Sequence, residues 1–139
     1  RYIRRQRQMC IRDRLKTVTK KAPTRTELLT LKLAWKAVKH AKSNAIVVAH
    51  NKKIVSISGG QTSRVDAVKY ALTKTKIPPG AVLASDAFFP FRDSIDLIGK
   101  HKIKSIIQPG GSIKDEEVIV ACNEHKISMV FTDTRVFKH

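Results

Sequence analysis

From residue 24 onward the apolar positions follow two alternating periods. Leu28, Leu29, Leu33, Val38 and Ala41 recur at helical spacing after Thr26-Glu27, and Lys32, Lys36 and Lys39 occupy the polar face, so a helix is predicted over 26–41. Ala45 to Ala49 is a short apolar, β-branched run. Asn51-Lys52-Lys53 turns it and Ile54 to Ser58 alternates, which predicts a β-hairpin. Gly59-Gly60-Gln61 breaks the strand. Ser63, with Asp66 three residues on, resembles a capping box for a helix through Val65, Val68, Ala71 and Leu72, ended by Pro78-Pro79-Gly80.

The second half repeats strand, loop and helix. Strands are predicted over 81–84, 104–108 and 127–132, with helices over 93–101 and 115–125 and a charged tail to His139. Strands alternating with helices over short connections imply an α/β fold, a largely parallel sheet covered on both faces. In such folds ligands sit where loops leave the carboxyl ends of the strands.

The 139 residues suit one domain. A composition of 42% hydrophobic and 28% charged residues argues against a disordered chain. No apolar run reaches the ~20 residues of a membrane helix. Two cysteines, Cys10 and Cys122, make no disulfide framework and fit a reducing, cytoplasmic setting. The net charge of +17 suggests nucleic acid, but residues 1–26, with 10 basic side chains and one acid, carry +9 of it. Residues 1–14 show neither a helical nor a strand period. A basic arm for RNA and a targeting presequence both compete there. The preferred reading is a non-native sequencing scar, because Met9-Cys10-Ile11-Arg12-Asp13-Arg14 resembles one frame of a library adapter. Residues 15–25 then read as a linker or remnant, and 26–139 as the folded unit.

Three loops carry the candidate chemistry. Gly59 to Arg64 leads a strand into a helix N-terminus, where free amides favour an anion and Arg64 offers a bidentate clamp on phosphate or carboxylate. Ser85 to Asp93 concentrates Phe88, Phe89 and Phe91 beside two carboxylates and Arg92. Rings so placed either meet a flat heterocycle or plug the core beneath the loop. Gln108 to Asp115 repeats the Gly-Gly, Ser, helix arrangement, in itself a weak anion signal. Together the loops describe a pocket for an anionic ligand bearing a planar ring. The five histidines share no ligand spacing with Cys122, which disfavours zinc. Cys122 falls on an apolar helical pattern and reads as core, and Trp35 and Tyr70 read as packing residues.

Lys42-Ser43-Asn44, Gly59 to Val65, Ser85 to Asp93, Gln108 to Glu117 and Thr132 to His139 resemble the C-terminal end of the bifunctional AICAR transformylase/IMP cyclohydrolase family. Ser-Asp-Ala-Phe-Phe-Pro-Phe-Arg-Asp is the most specific of these strings. The resemblance implies a three-layer α/β/α, cytidine-deaminase-like fold without zinc. It implies formyl transfer from 10-formyltetrahydrofolate to AICAR ribotide, in a homodimer with shared active sites. Asn44, Arg64, Phe88, Arg135 and Phe137 would contact AICAR. Val65, Pro90, Phe91, Asp93, Ser112 and Ile113 would line the folate site, and a monovalent cation would lie near Ser43 and Asp86. The family's catalytic Lys-His pair, followed by Asn-Pro, has no match here. Lys39-His40 lies within a helical pattern and is followed by Ala-Lys, and the cyclohydrolase domain is missing too. The resemblance therefore predicts a fragment that binds without catalysing. The alternatives are a basic RNA-binding protein and an inactive nucleotide-binding module.

Overall fold

The computed structural model describes residues 15–41, 44–60, 62–87, 89, 92–110 and 113–132. The chain runs β1 (Lys16–Thr17), α1 (Arg25–Lys39), β2 (Ile46–His50), β3 (Lys53–Ser58), α2 (Arg64–Thr73), β4 (Val82–Ser85), α3 (Asp93–Lys100), β5 (Ser105–Gln108), α4 (Asp115–Glu124) and β6 (Ser128–Phe131). One six-stranded sheet has the order β1-β6-β5-β4-β2-β3. β4, β5 and β6 are parallel neighbours, whereas β2 is antiparallel to both β3 and β4, and β1 to β6. The sheet is therefore mixed around a parallel centre. The antiparallel part comes from the expected hairpin, whose turn places Asn51 and Lys52 at positive φ.

The strands alternate their side chains between two cores, which makes three layers. On one face Leu31, Ala34 and Val38 of α1 pack on Val47, Val82, Ala84, Ile107 and Val130. On the other, α2, α3 and α4 pack on Ile46, Val48, Leu83, Ile106 and Met129, with Phe89 wholly buried among them.

The helix α1 is rotated from the expected face. Its buried residues are Thr30, Leu31, Ala34 and Val38, while Leu29 and Leu33 are exposed. The sequence carries two apolar stripes on this helix, and the sheet takes the one with the small Ala34 at its centre. Thr24 caps α1 in a full capping box: Glu27 N donates to Thr24 Oγ1 at 3.1 Å and Thr24 N to Glu27 Oε1 at 3.0 Å. The expected cap of α2 is half such a box, Asp66 N donating to Ser63 Oγ at 3.2 Å. Tyr70 is exposed rather than packed, with Lys74 Nζ 5.2 Å from its ring centre. Trp35 does pack, half-buried, against the α1 core. The strand β1 was not expected, because two exposed residues carry no period. Its pairing with β6 fixes it, and Val18 N continues the ladder to Met129 O at 3.0 Å.

Candidate functional site

Strand direction brings the loops together. Since β2 opposes both β3 and β4, the strands β3, β4, β5 and β6 all point the same way. Their carboxyl ends share one edge of the sheet with the start of β2. Asn44, Gly59, Gly60, Ser63, Arg64, Asp86, Arg92, Pro109, Gly110 and Thr132 therefore lie at that edge, where the three loops singled out in the sequence were expected to meet.

At its centre is a buried polar cluster. Arg64 opens α2, and its side chain is only 8% exposed. One Nη1 hydrogen is directed at Asp86 Oδ1 in an ion pair, and Nη1 also donates to Ala45 O at 3.3 Å. Nη2 donates to Asn44 Oδ1 at 2.8 Å. Asp86 Oδ1 accepts a further bond from Ala45 N at 3.2 Å, and Asp86 N donates to Ala45 O at 3.3 Å. Three residues 20 or more apart in sequence are thus locked across the β2–β4 boundary. A buried charge survives only when paired and hydrogen-bonded in this way.

This geometry changes the expected role of Arg64. The guanidinium is paired with Asp86, so whatever it offers a ligand is offered from within an ion pair. At Asp86, the expected cation contact, Oδ1 receives Arg64 Nη1 and Ala45 N. Ser43, the other expected contact, lies outside the described residues. Among the described residues no three His, Cys, Asp or Glu side chains are grouped to hold a metal.

The other expected contacts are spread around the cluster. Val65 adjoins Arg64 and is 36% exposed, and Ile113 is 98% exposed in the turn before α4. Asp93 is the exposed first residue of α3, and its Oδ1 accepts from Ser94 N at 2.8 Å. Phe88, Pro90, Phe91, Ser112, Arg135 and Phe137 lie outside the described residues. Within the aromatic loop, Phe89 is a core plug.

Two features of this edge escaped the sequence reading. Ser58 at the end of β3 and Thr132 after β6 have buried hydroxyls with no hydrogen-bond partner among the described residues. A small hydroxyl residue closing an apolar strand was the available signal. Arg92 forks onto Asp96 at 3.1 Å and Glu124 at 2.7 Å, and Asp96 also meets His125 Nε2 at 2.9 Å. The Arg92 guanidinium holds both carboxyls below the usual carboxylate range. In the third turn, Gln108 is wholly buried and its Oε1 accepts from Gly110 N at 3.3 Å. That amide therefore serves the turn rather than an anion. Cys122 is core as expected, and burial pushes its thiol up to about 12.

A family model described as the AICARFT/IMPCHase bienzyme matches residues 3–74, more than half of the chain. The chain belongs to this family. It is 55% identical over 131 residues to the bifunctional purine biosynthesis protein PurH of Aquifex aeolicus, covering 91% of the chain and 26% of that relative. PurH of Persephonella marina is 56% identical over 131 residues, with 91% and 25% covered. PurH of Clostridium perfringens is 59% identical over 124 residues, with 89% and 24% covered. The chain thus spans about a quarter of the length of the curated relatives it matches. Among solved structures, a diaminohydroxyphosphoribosylaminopyrimidine deaminase/5-amino-6-(5-phosphoribosylamino)uracil reductase of Thermotoga maritima is 21% identical. It covers 71% of this chain and 33% of its own at a TM-score of 0.44, too distant to carry an argument. No helix among the described residues is long and apolar enough to cross a membrane.

Proposed function

We propose that this chain is the C-terminal part of an AICAR transformylase domain and supplies ligand contacts for formyl transfer from 10-formyltetrahydrofolate to AICAR ribotide. The observation that carries the proposal is the buried Asn44–Arg64–Asp86 cluster, set among the loops that resemble the family's transformylase end. The amine of AICAR is conjugated with its carboxamide and is a poor nucleophile. Transfer needs a base for its proton and donors for the tetrahedral oxyanion. No residue here is assigned either task. Lys39 and His40 are exposed at the end of α1, where His40 serves as its C-cap. The chain's part is to bind and orient: Asn44 and Arg64, with Phe88, Arg135 and Phe137, toward AICAR, and Val65, Pro90, Phe91, Asp93, Ser112 and Ile113 toward folate. The rest of the machinery comes from a longer polypeptide acting as a cytoplasmic homodimer.

Calorimetric titration with AICAR ribotide tests this. The chain is expected to bind saturably, and Arg64→Ala to weaken binding by about 1.5–3 kcal/mol, the scale of hydrogen bonds to a charged group. Unchanged affinity in that variant would sink the assignment.

A further inference from the structure

The amino-terminal edge of the sheet, opposite the loop edge, carries a row of lysines. In sheet order, Lys20 follows β1, Lys126 precedes β6, Lys102 and Lys104 precede β5, and Lys52 and Lys53 turn the β2–β3 hairpin. All six are exposed, and none forms an ion pair among the described residues. Backbone bonds fix the row in place: Lys104 N donates to Ala81 O at 2.8 Å, Ser128 N to Lys104 O at 3.0 Å and Gly80 N to Lys102 O at 3.1 Å. Lys20 N donates to Asn123 Oδ1 at 3.0 Å. At about 4.8 Å per strand the row extends roughly 20 Å. The described acids are segregated from it. Asp66, Asp86, Asp93, Asp115, Glu116 and Glu117 follow β3, β4 or β5 at the loop edge or open the helices there. Glu27 is engaged in the cap of α1, and Arg92 holds Asp96 and Glu124. The backbone adds an independent observation. Lys52, Lys102 and Lys126 have φ of 65°, 59° and 58°, the left-handed region where glycine fits without a Cβ clash. Two of the turns on this one edge thus place a charged side chain where glycine is sterically easier before a strand, and a third does so in the hairpin.

We infer that this edge is a binding surface for the phosphodiester backbone of nucleic acid, held by charge and without base preference. The inference is independent of the ligand site at the opposite edge. Lysine is a point charge suited to phosphate oxygens, whereas planar carboxylates favour the arginine fork. The row contains no arginine, and no aromatic residue on which a base could stack, so the backbone alone is met. A protein partner fits less well, because protein interfaces are depleted of lysine and enriched in aromatic residues and arginine.

Fluorescence anisotropy of the whole chain with labelled oligouridylate, oligothymidylate and poly-glutamate of equal charge, across a salt series, tests this. Both oligonucleotides are expected to bind, the tighter arm telling RNA from DNA, with affinity falling steeply as salt rises. Lys102→Gly and Lys126→Gly remove two charges and relieve the positive-φ turns, so folding is not put at risk. With Lys104→Gln added, binding should weaken about tenfold, and the slope of log K against log salt should shrink by about 2, the loss of three phosphate contacts at about 0.7 each. A second variant, Lys32→Gln with Lys36→Gln and Lys69→Gln, removes as much charge from the helices and should leave affinity and slope nearly unchanged. An unaltered slope in the edge variant overturns the proposal, as does an equal loss in the helix variant, which would make the attraction diffuse. Poly-glutamate bound as tightly as the oligonucleotides overturns it too, as does a wild type that binds neither oligonucleotide at low salt.

Discussion

Phe89 sits in the loop that carries the family resemblance, yet its ring is wholly buried between the sheet and the three-helix layer. Two consequences compete for a ring in this loop: stacking on a ligand or holding the loop to the core. The burial decides for the second. A Phe side chain withdraws about 150–250 Å² from water, and truncating it to alanine in a packed core costs about 3–5 kcal/mol, transfer and cavity together. A domain of this size has about 5–15 kcal/mol in hand, so Phe89→Ala removes much of its stability and Phe89→Leu is the safer probe. Phe89→Leu keeps most of the volume and should cost about 1–1.5 kcal/mol. Urea unfolding followed by far-UV circular dichroism measures both, with the m-value checking that the unfolded state is unchanged. Because Phe89 stands between Phe88 and Pro90, the alanine variant should also weaken AICAR ribotide binding at temperatures where it stays folded. A cost below about 1 kcal/mol for Phe89→Ala, outside the range for a core phenylalanine, would refute the plug and return the ring to the ligand side.

The rotation of α1 predicts that Leu31→Ala destabilises the chain by about 2–5 kcal/mol while Leu33→Ala stays within about 1 kcal/mol, read by the same unfolding assay. The reverse ranking would restore the face expected from periodicity. Gly110 has φ +76° and an added Cβ would lie 2.7 Å from the Phe131 ring, so Gly110→Ala should cost more than the ~1 kcal/mol typical of a glycine exchange and lower the melting temperature. The depressed Asp96 and Glu124 carboxyls contribute stability present above their unfolded pKa values and lost as pH falls through their lower folded ones. Arg92→Ala should flatten that part of the acid limb below about pH 4, and an unaltered limb in acid titration of both proteins would count against the network.

Most of the element pattern was legible because it is locally determined. The hairpin turn at Asn51-Lys52, the Ser63 cap and the Pro78-Pro79-Gly80 stop are each set by neighbours in sequence. What was not legible depends on distant partners. β1 exists because β6 offers an edge, and the choice between two apolar stripes on α1 is made by the sheet. The Thr24-x-x-Glu27 box is also a local pattern, and Thr26-Glu27 imitates a helix start two residues further on. The site shows the same division. Loop composition placed Arg64 and Asp86 at one edge of the sheet and the family resemblance added Asn44, but spacing says nothing about residues 20 and 22 positions apart forming an ion-paired cluster. The carboxylate partner of Arg64 is 22 positions along the chain, beyond the reach of any local pattern.

The central claim is that Arg64, held by Asp86 and Asn44, meets the substrate directly. The most direct measurement follows the Arg64 Nε–H resonance by NMR, assigned by its loss in Arg64→Lys, while AICAR ribotide is added. The account predicts a saturable shift of that signal with the same midpoint as the calorimetric titration. A signal that stays in place while AICAR ribotide saturates the chain would put the ligand elsewhere and contradict the account.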